Sequence, residues 1–211
     1  MEKTILKNKI DNPNLYKIGY IHIKMADNNT ATTGFEVVPN GTTEIYSTDG
    51  NIRQVDGTFA PSRVLTGATS LVFDKANMSF NLQKDNLVSI TVTSPVGMLL
   101  EDVVIGYSDT LTSITLSNVG LNGNLADLFG RCIAVTTFNF LDNNIDGSIE
   151  EFVAAQRKNG RTTCESLVIG NFNRNNKNNI TFNGVRAVTT SGMVLSWTAS
   201  TITLGEVTID A

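Results

Sequence analysis

Four carboxylates lie within ten residues of one another in the sequence and could take part in hydrolysis or bind a cation: Asp142, Asp146, Glu150 and Glu151. Paired carboxylates hydrolyse glycosidic bonds, and carboxylates interleaved with asparagines bind calcium. The segment lacks the complete EF-hand spacing and its closing glutamate. Because the two aspartates fall in a predicted corner and the two glutamates are predicted to face solvent beside Phe152, we expect a solvated acidic surface.

The remaining reactive side chains are sparse. His22 is the single histidine, and Cys132 and Cys164 are the two cysteines, neither of them in a CxxC pair. This set does not suit a zinc site, and no nucleophile-elbow, HExxH or phosphate-loop motif is present. Both cysteines are predicted to be packed core residues, although a disulfide between them stays open. We therefore predict a protein that is not an enzyme and uses no cofactor and no metal.

A repeat of about 24 residues organises the middle of the chain and would position these groups. Seven apolar or glycine positions correspond without a gap in two successive stretches. The first stretch contains Leu111, Ile114, Leu116, Leu121, Gly123, Leu125 and Leu128, and the second contains Val135, Phe138, Phe140, Ile145, Gly147, Ile149 and Phe152. A period of this length is typical of stacked repeats, which usually provide an extended binding surface.

Each repeat divides into three parts. Alternating apolar and polar residues, as in Ile114-Thr-Leu116, predict a short strand. Gly and Asn then predict a sharp corner, and apolar residues spaced by three predict a short outer helix. This arrangement resembles the leucine-rich repeat family, whose pattern is L-x-x-L-x-L-x-x-N-x-L-x-G-x-L, best over residues 111–152. The resemblance implies a solenoid in which an asparagine, matched here by Asn143, hydrogen-bonds backbone groups between coils.

The pattern weakens on both sides of these two repeats. Upstream, Leu87, Ile90 and Val92 keep the strand signature, but the outer half fails. Downstream, Cys164, Leu167 and Ile169 restart it after a longer interval, and the extra positions predict an exposed loop at 156–163. The cations of this loop, Arg157, Lys158 and Arg161, are expected to be solvated. At the asparagine position the other repeats carry Pro95, Val119 and Phe172. We expect an irregular solenoid, and an ordinary β-rich domain with two similar segments is the alternative.

The predicted fold class is mainly β with short outer helices, in two parts. Residues 1–86 are predicted to form a polar arm (1–16) and a small β-region that serves as an anchor or cap. Residues 87–211 are predicted to form an irregular leucine-rich-repeat-like module with C-terminal strands. The single tryptophan, Trp197, is predicted to lie in the core rather than on the surface.

The composition argues against nucleic-acid-binding and membrane-spanning proteins. Charged residues make up 17% of the chain, below the usual quarter, so that Asn, Thr and Ser supply the polar surface, as in many adhesive and viral structural proteins. The net charge of −4 and the lack of a basic patch argue against nucleic-acid binding. The first residues show no secretory signal and no window suits a membrane span, so we expect cytoplasmic synthesis.

The candidate interaction residues lie on the outward side of the predicted strands and in two loops. They are Ser113, Thr115, Ser117, Thr137, Asn139, Arg157, Lys158, Arg161, Arg174 and Lys177. The partners we expect are other protein subunits in a homo- or hetero-oligomer, with neither nucleic acid nor membrane. The preferred hypothesis is a structural subunit of a larger assembly such as a bacteriophage virion, in its tail, fibre or head decoration. The alternative is a monomeric recognition module or adhesin that binds a host protein or glycan.

Overall fold

The computed structural model describes residues 20–25, 35–47, 52–71, 79–83, 87–93, 100–105, 108–170, 178–188, 192–205 and 208–209. These residues are mainly β with two short helices, which confirms the predicted fold class at that level. The helices are α1 (Leu125–Phe129) and α2 (Ile149–Lys158). The strands are β1 (Tyr20–Met25), β2 (Phe35–Pro39), β3 (Thr43–Ser47), β4 (Ile52–Arg53), β5 (Phe59–Ala60), β6 (Ser62–Leu65), β7 (Thr69–Ser70), β8 (Ser79–Gln83), β9 (Leu87–Thr93), β10 (Leu100–Ile105), β11 (Ser113–Ser117), β12 (Asn122–Asn124), β13 (Thr137–Asn139), β14 (Asn144–Ser148), β15 (Cys164–Gly170), β16 (Asn179–Phe182), β17 (Val185–Val188), β18 (Met193–Trp197), β19 (Ile202–Gly205) and β20 (Thr208–Ile209).

An eight-stranded sheet is the main element, in the order β19-β18-β15-β13-β11-β9-β2-β7. Its four central strands, β9, β11, β13 and β15, run parallel, and antiparallel strands flank them on both sides. Ile90, Ile114 and Phe138 lie opposite one another, so neighbouring strands are offset by one full repeat. The pairing therefore reproduces the repeat read from the sequence.

The last parallel step differs from the prediction. Phe138 lies opposite Ile169, whereas the sequence pattern placed Leu167 there. The strand carries a register irregularity between Cys164 and Leu167, where it pairs with β18. Because the expected and observed partners are two positions apart on the same strand, every side chain keeps its predicted face, and Leu167 and Ile169 are both buried.

A second parallel ladder forms the other side of the repeats. It contains β12, β14 and β16, and the antiparallel strands β17 and β20 complete its sheet. Between the two ladders the chain turns at Asn118 and Asp142, which occupy equivalent positions in successive repeats and have φ of 53° and 55°. Asparagine and aspartate tolerate this left-handed conformation better than most residues, which explains their place in the corner.

The two helices occupy the predicted outer segments. Asn124 caps α1 by accepting a hydrogen bond from the N–H of Ala126 at 2.8 Å. Ser148 and Glu151 form a capping box at the start of α2. The longer helix, α2, continues to Lys158, so the loop expected at 156–163 is shorter than predicted. The first residue of that expected loop, Gln156, is fully buried and helical rather than exposed.

Four phenylalanines fill the core between the ladders and the helices. The rings of Phe129 and Phe140 stack with centroids 4.6 Å apart, and Phe138 lies 5.4 and 5.2 Å from them. Phe152 meets Phe138 edge-on at 5.9 Å. The predicted burial of Trp197, Cys132 and Cys164 is confirmed, and both cysteines are free rather than joined in a disulfide.

Strands from the two predicted parts share sheets. A five-stranded sheet has the order β10-β1-β8-β3-β6, so β10 from the second part pairs with β1 from the first. Conversely, β2 pairs with β9 and extends the eight-stranded sheet. The predicted boundary between residues 86 and 87 is therefore crossed twice. The arm predicted at 1–16 lies outside the described residues.

Candidate interaction surface

The outer face of the eight-stranded sheet carries five of the ten candidate residues. Alternation along β11 buries Ile114 and Leu116 in the core and leaves Ser113, Thr115 and Ser117 on the other side. The outer face is defined by the residues that share this side: Ser89, Thr91, Ser113, Thr115, Ser117, Thr137, Asn139, Val168, Gly170, Val194, Ser196 and Thr203.

The parallel pairing aligns these side chains in rows across the strands. One row runs through Ser89, Ser113, Thr137, Val168 and Val194. Strands in a sheet lie about 4.8 Å apart, so a row of five residues spans about 19 Å. The rows therefore form a surface of evenly spaced, short side chains, with hydroxyl groups in its centre.

The outer face is uncharged over β9, β11 and β13. Its side chains there are serine, threonine and Asn139, which means that a partner can cover them without removing a charge from water. Charge returns at the margin, where Glu36 of β2 lies opposite Thr91. Val168 adds an apolar side chain that is 39% exposed.

Two of the three cations predicted in the 156–163 loop donate hydrogen bonds to backbone carbonyl oxygens elsewhere in the fold. The guanidinium of Arg157 donates to the carbonyl oxygens of Thr198 and Thr201 in the β18–β19 turn. Arg161 donates to the carbonyl oxygen of Val135 at 2.6 Å and to the sulfur of Cys164 at 2.9 Å. These contacts correct the expectation of a merely solvated cluster.

The Arg161 guanidinium also lies over the ring of Trp197, 5.1 Å from its centroid. The indole N–H in turn donates to the Arg161 carbonyl oxygen at 3.2 Å. Lys158 is exposed at the end of α2, and Arg174 and Lys177 lie outside the described residues. The predicted loop cations thus form no common surface among the residues that the structure describes.

Two of the four clustered carboxylates, Glu150 and Glu151, accept hydrogen bonds from backbone N–H groups. Glu151 closes the capping box of α2, and Glu150 accepts a hydrogen bond from the N–H of Asn183 at 2.6 Å, which ties the β16–β17 turn to the helix. Asp142 occupies the left-handed corner, and Asp146 is exposed on β14. Within the described ranges, no three His, Cys, Asp or Glu side chains are grouped so as to hold a metal ion.

Asn143 has the position that the leucine-rich repeat pattern assigns to asparagine. Its side chain is buried, and its Oδ1 accepts from the N–H groups of Val119 and Leu121 at 3.2 and 3.1 Å. Its Nδ2 donates to the carbonyl oxygens of Leu116 and Phe140. The predicted bonding of backbone groups in neighbouring repeats is confirmed.

Asn178 has the same function one repeat later, and sequence reasoning missed it. Its Oδ1 accepts from the N–H of Ile145 at 2.9 Å, and its Nδ2 donates to the carbonyl oxygen of Phe140 at 2.8 Å. The sequence pattern put Phe172 at this position, because a fixed period takes no account of the inserted residues between β15 and β16. The available signal was the asparagine run that precedes Ile180.

Cys132 is inert in the folded chain. Burial raises the pKa of its thiol to about 12, because the surrounding core disfavours the thiolate. Its backbone forms an isolated parallel bridge with Ser108, which lies one repeat earlier in the chain. A thiol with a raised pKa is a poor nucleophile, so Cys132 serves the packing of the repeat.

No protein-family model, curated protein or solved structure matches this chain. The geometry of the outer face and the chemistry of its residues therefore carry the functional argument. Over the part of the chain described here, neither helix has the length and apolar character needed to cross a membrane.

Proposed function

We propose that this chain is an irregular leucine-rich-repeat-like solenoid protein that works without catalysis as a structural subunit of a larger assembly. A bacteriophage virion is the kind of assembly that we favour, with this chain in its tail, fibre or head decoration. The contact surface is the outer face, and the partner is a neighbouring protein subunit. The two parallel ladders and the inter-repeat bonds of Asn143 support the solenoid part of this proposal.

The observation that carries the proposal is the uncharged centre of the outer face. Protein interfaces are depleted of charge at their core and carry polar groups at the rim. Thr115, with Ser113 and Asn139 on neighbouring positions, lies at such a centre, and Glu36 lies at the margin. Small side chains on a firm sheet lose little conformational entropy on binding, which favours close packing of another subunit.

A second candidate is a monomeric recognition module or adhesin that binds a host protein or glycan. The observation in its favour is the row of hydroxyl and amide groups formed by Thr91, Thr115 and Asn139. Such groups donate and accept hydrogen bonds, as sugar hydroxyls require. The two candidates differ in the oligomeric state that they predict for the purified chain.

Light scattering of the purified full-length chain over a range of concentrations tests the proposal. We expect a mass above the 22.8 kDa of a single chain. Thr115→Arg places a charge at the centre of the outer face and should reduce this mass, whereas Thr162→Arg, at an exposed position beyond the sheet, should not. A single-chain mass at every concentration would overturn the proposal in favour of the recognition module.

A further inference from the structure

The last strand of the eight-stranded sheet, β19, leaves one side without a partner among the described residues. It pairs with β18 on one side only and ends the strand order. Unpaired edges bind other strands readily, and natural proteins usually protect them with lysine, proline or a bulge, or keep them very short. The opposite edge strand, β7, has two residues, whereas β19 has four (Ile202-Thr-Leu-Gly205) with none of these protections.

The turn before β19 determines which backbone groups point away from the sheet. The N–H of Thr198 donates to the carbonyl oxygen of Thr201 at 3.1 Å, so these two residues form the hydrogen-bonded pair that closes the turn. Hydrogen-bonded and non-hydrogen-bonded pairs alternate along an antiparallel ladder. Ile202 and Leu204 are therefore in non-hydrogen-bonded pairs with Trp197 and Leu195, and their N–H and C=O groups point to the open edge.

We propose that β19 pairs antiparallel with β19 of a second copy of this chain, with Thr203 opposite Thr203 on the two-fold axis. In this register Ile202 of one copy faces Leu204 of the other, so each outward donor meets an outward acceptor. A two-fold contact is self-complementary by construction, because the same patch is used on both subunits. The proposal rests on the assembly role proposed above and adds a second contact surface to the outer face.

The charge distribution favours a copy of this chain as the occupant. At a two-fold axis every charge near the axis meets its own copy, and like charges placed directly opposite destabilise a strand pair. The stretch from Thr198 to Gly205 carries no ionisable side chain. Thr–Thr pairs across strands are favourable, and Thr203 is exposed on the outer face, where the axis would bring its two copies together.

Four backbone hydrogen bonds and a short strand bury less surface than the roughly 800 Å² per partner of a standard stable interface. The pairing is therefore weak for an isolated pair of chains. It gains strength in an assembly that already holds many copies close together. The experiment must accordingly detect a transient contact of defined register.

Oxidative cross-linking through Thr203→Cys is such an experiment. In the proposed register the two introduced thiols face each other in a non-hydrogen-bonded pair, where Cα atoms lie about 4.5 Å apart, within reach of a disulfide. Thr201→Cys is the matched control, because it lies two residues along on the same face. Its two copies would be about 13 Å apart, beyond disulfide reach. The native cysteines are buried and contribute little background.

We expect a cross-linked dimer from Thr203→Cys and little from Thr201→Cys under the same oxidant. Equal cross-linking at both cysteine positions, or none at either, overturns the strand pairing.

The outer face has its own control in this experiment. Thr115→Arg combined with Thr203→Cys should still give the dimer, because position 115 is several strands from the edge. Loss of the larger mass on adding Thr115→Arg, with the cross-link retained, is the result that both proposals predict. A single-chain mass for Thr203→Cys before oxidation, with the cross-link still formed, would remove the proposed role of the outer face alone. A larger mass for Thr203→Cys without Thr115→Arg, and with no cross-link, would remove the strand pairing alone.

Discussion

Asn143 and Asn178 donate their side-chain amides to the same atom, the carbonyl oxygen of Phe140, at 3.0 and 2.8 Å. Both side chains are buried, and each uses its own oxygen to accept from backbone N–H groups of the preceding repeat. One carbonyl with two lone pairs accepts both donors. The two asparagines therefore join three successive turns of the chain at one point.

Asn143→Ala should lower the free energy of unfolding by about 3 kcal/mol, because the N–H groups of Val119 and Leu121 lose their acceptor inside the core. Asn122→Ala is the control, since its amide is exposed, where it donates to the Gly120 carbonyl oxygen and accepts from the exposed Asn144 side chain; its effect should stay within about 0.5 kcal/mol. Urea unfolding followed by circular dichroism measures both. Equal effects would show that the buried bonds contribute little.

The double variant Asn143→Ala/Asn178→Ala should cost more than the sum of the single substitutions, by about 1 kcal/mol. After one substitution the other asparagine still satisfies the Phe140 carbonyl, and only the second leaves this buried oxygen without either amide donor. A double-mutant cycle from urea midpoints measures the difference. Simple additivity would mean that the shared acceptor has no energetic consequence.

Gly147→Ala should destabilise the fold by about 2 kcal/mol for two reasons. Its φ of 102° is unfavourable for an L-residue, and an added Cβ would lie 2.8 Å from the Asn124 side chain in the preceding repeat. Gly184→Ala separates these contributions, because its φ is also positive but the space around it is open. If both variants unfold at the same urea concentration, the close approach at Asn124 is relaxed without cost.

Arg161→Lys should reduce stability by about 1–2 kcal/mol, because a lysine cannot donate to Val135 and Cys164 together while placing its charge over the Trp197 ring. The fluorescence of Trp197 should shift as well, since the substitution removes the guanidinium that lies over this ring, 5.1 Å from its centroid. Lys158→Gln is the control, because it removes a neighbouring positive charge at an exposed position. An unchanged emission spectrum and midpoint for Arg161→Lys would contradict a structural role.

High pH should destabilise the protein through Cys132. Burial raises the pKa of this thiol from its ordinary value of 9.0 to about 12 in the folded chain. Between these two values the folded state keeps a proton that the unfolded state releases. Stability from this group is fully present below pH 9 and is lost as the pH rises toward 12. Cys132→Ala should show a shallower decline in stability over this pH window.

The wild-type thiol of Cys132 should also react with a thiol reagent only after unfolding, because it is buried. Fast labelling of the native chain would show that this thiol is accessible.

The predicted repeat agrees with the structure over residues 111–152, where two successive repeats have the same length. The apolar positions from Leu111 to Phe152 predicted β11, β13 and the helices, and the face of each residue on β11 and β13 followed from alternation alone. The strands β12 and β14 were not predicted, because their asparagine and glycine residues were assigned to the corner. A strand fixes its faces by a period of two, so the outer face could be identified before the fold was known. Asn143 was likewise recognisable from its place in the pattern.

The details beyond residue 152 required the tertiary structure. The sequence could not show where inserted residues enter, so it misplaced the register of β15 by two positions and overlooked Asn178. It also took Arg157 and Arg161 for solvated cations, because their backbone acceptors lie far away in sequence, on the C-terminal hairpin and at Val135. Hydrogen bonds between distant segments depend on which strands become neighbours. Local pattern determined β11, β13, the helices and the chemistry of the outer face, whereas packing of the sheets decided the register of β15, the hydrogen bonds of Arg157 and Arg161, and the place of β19 at the end of the described strand order.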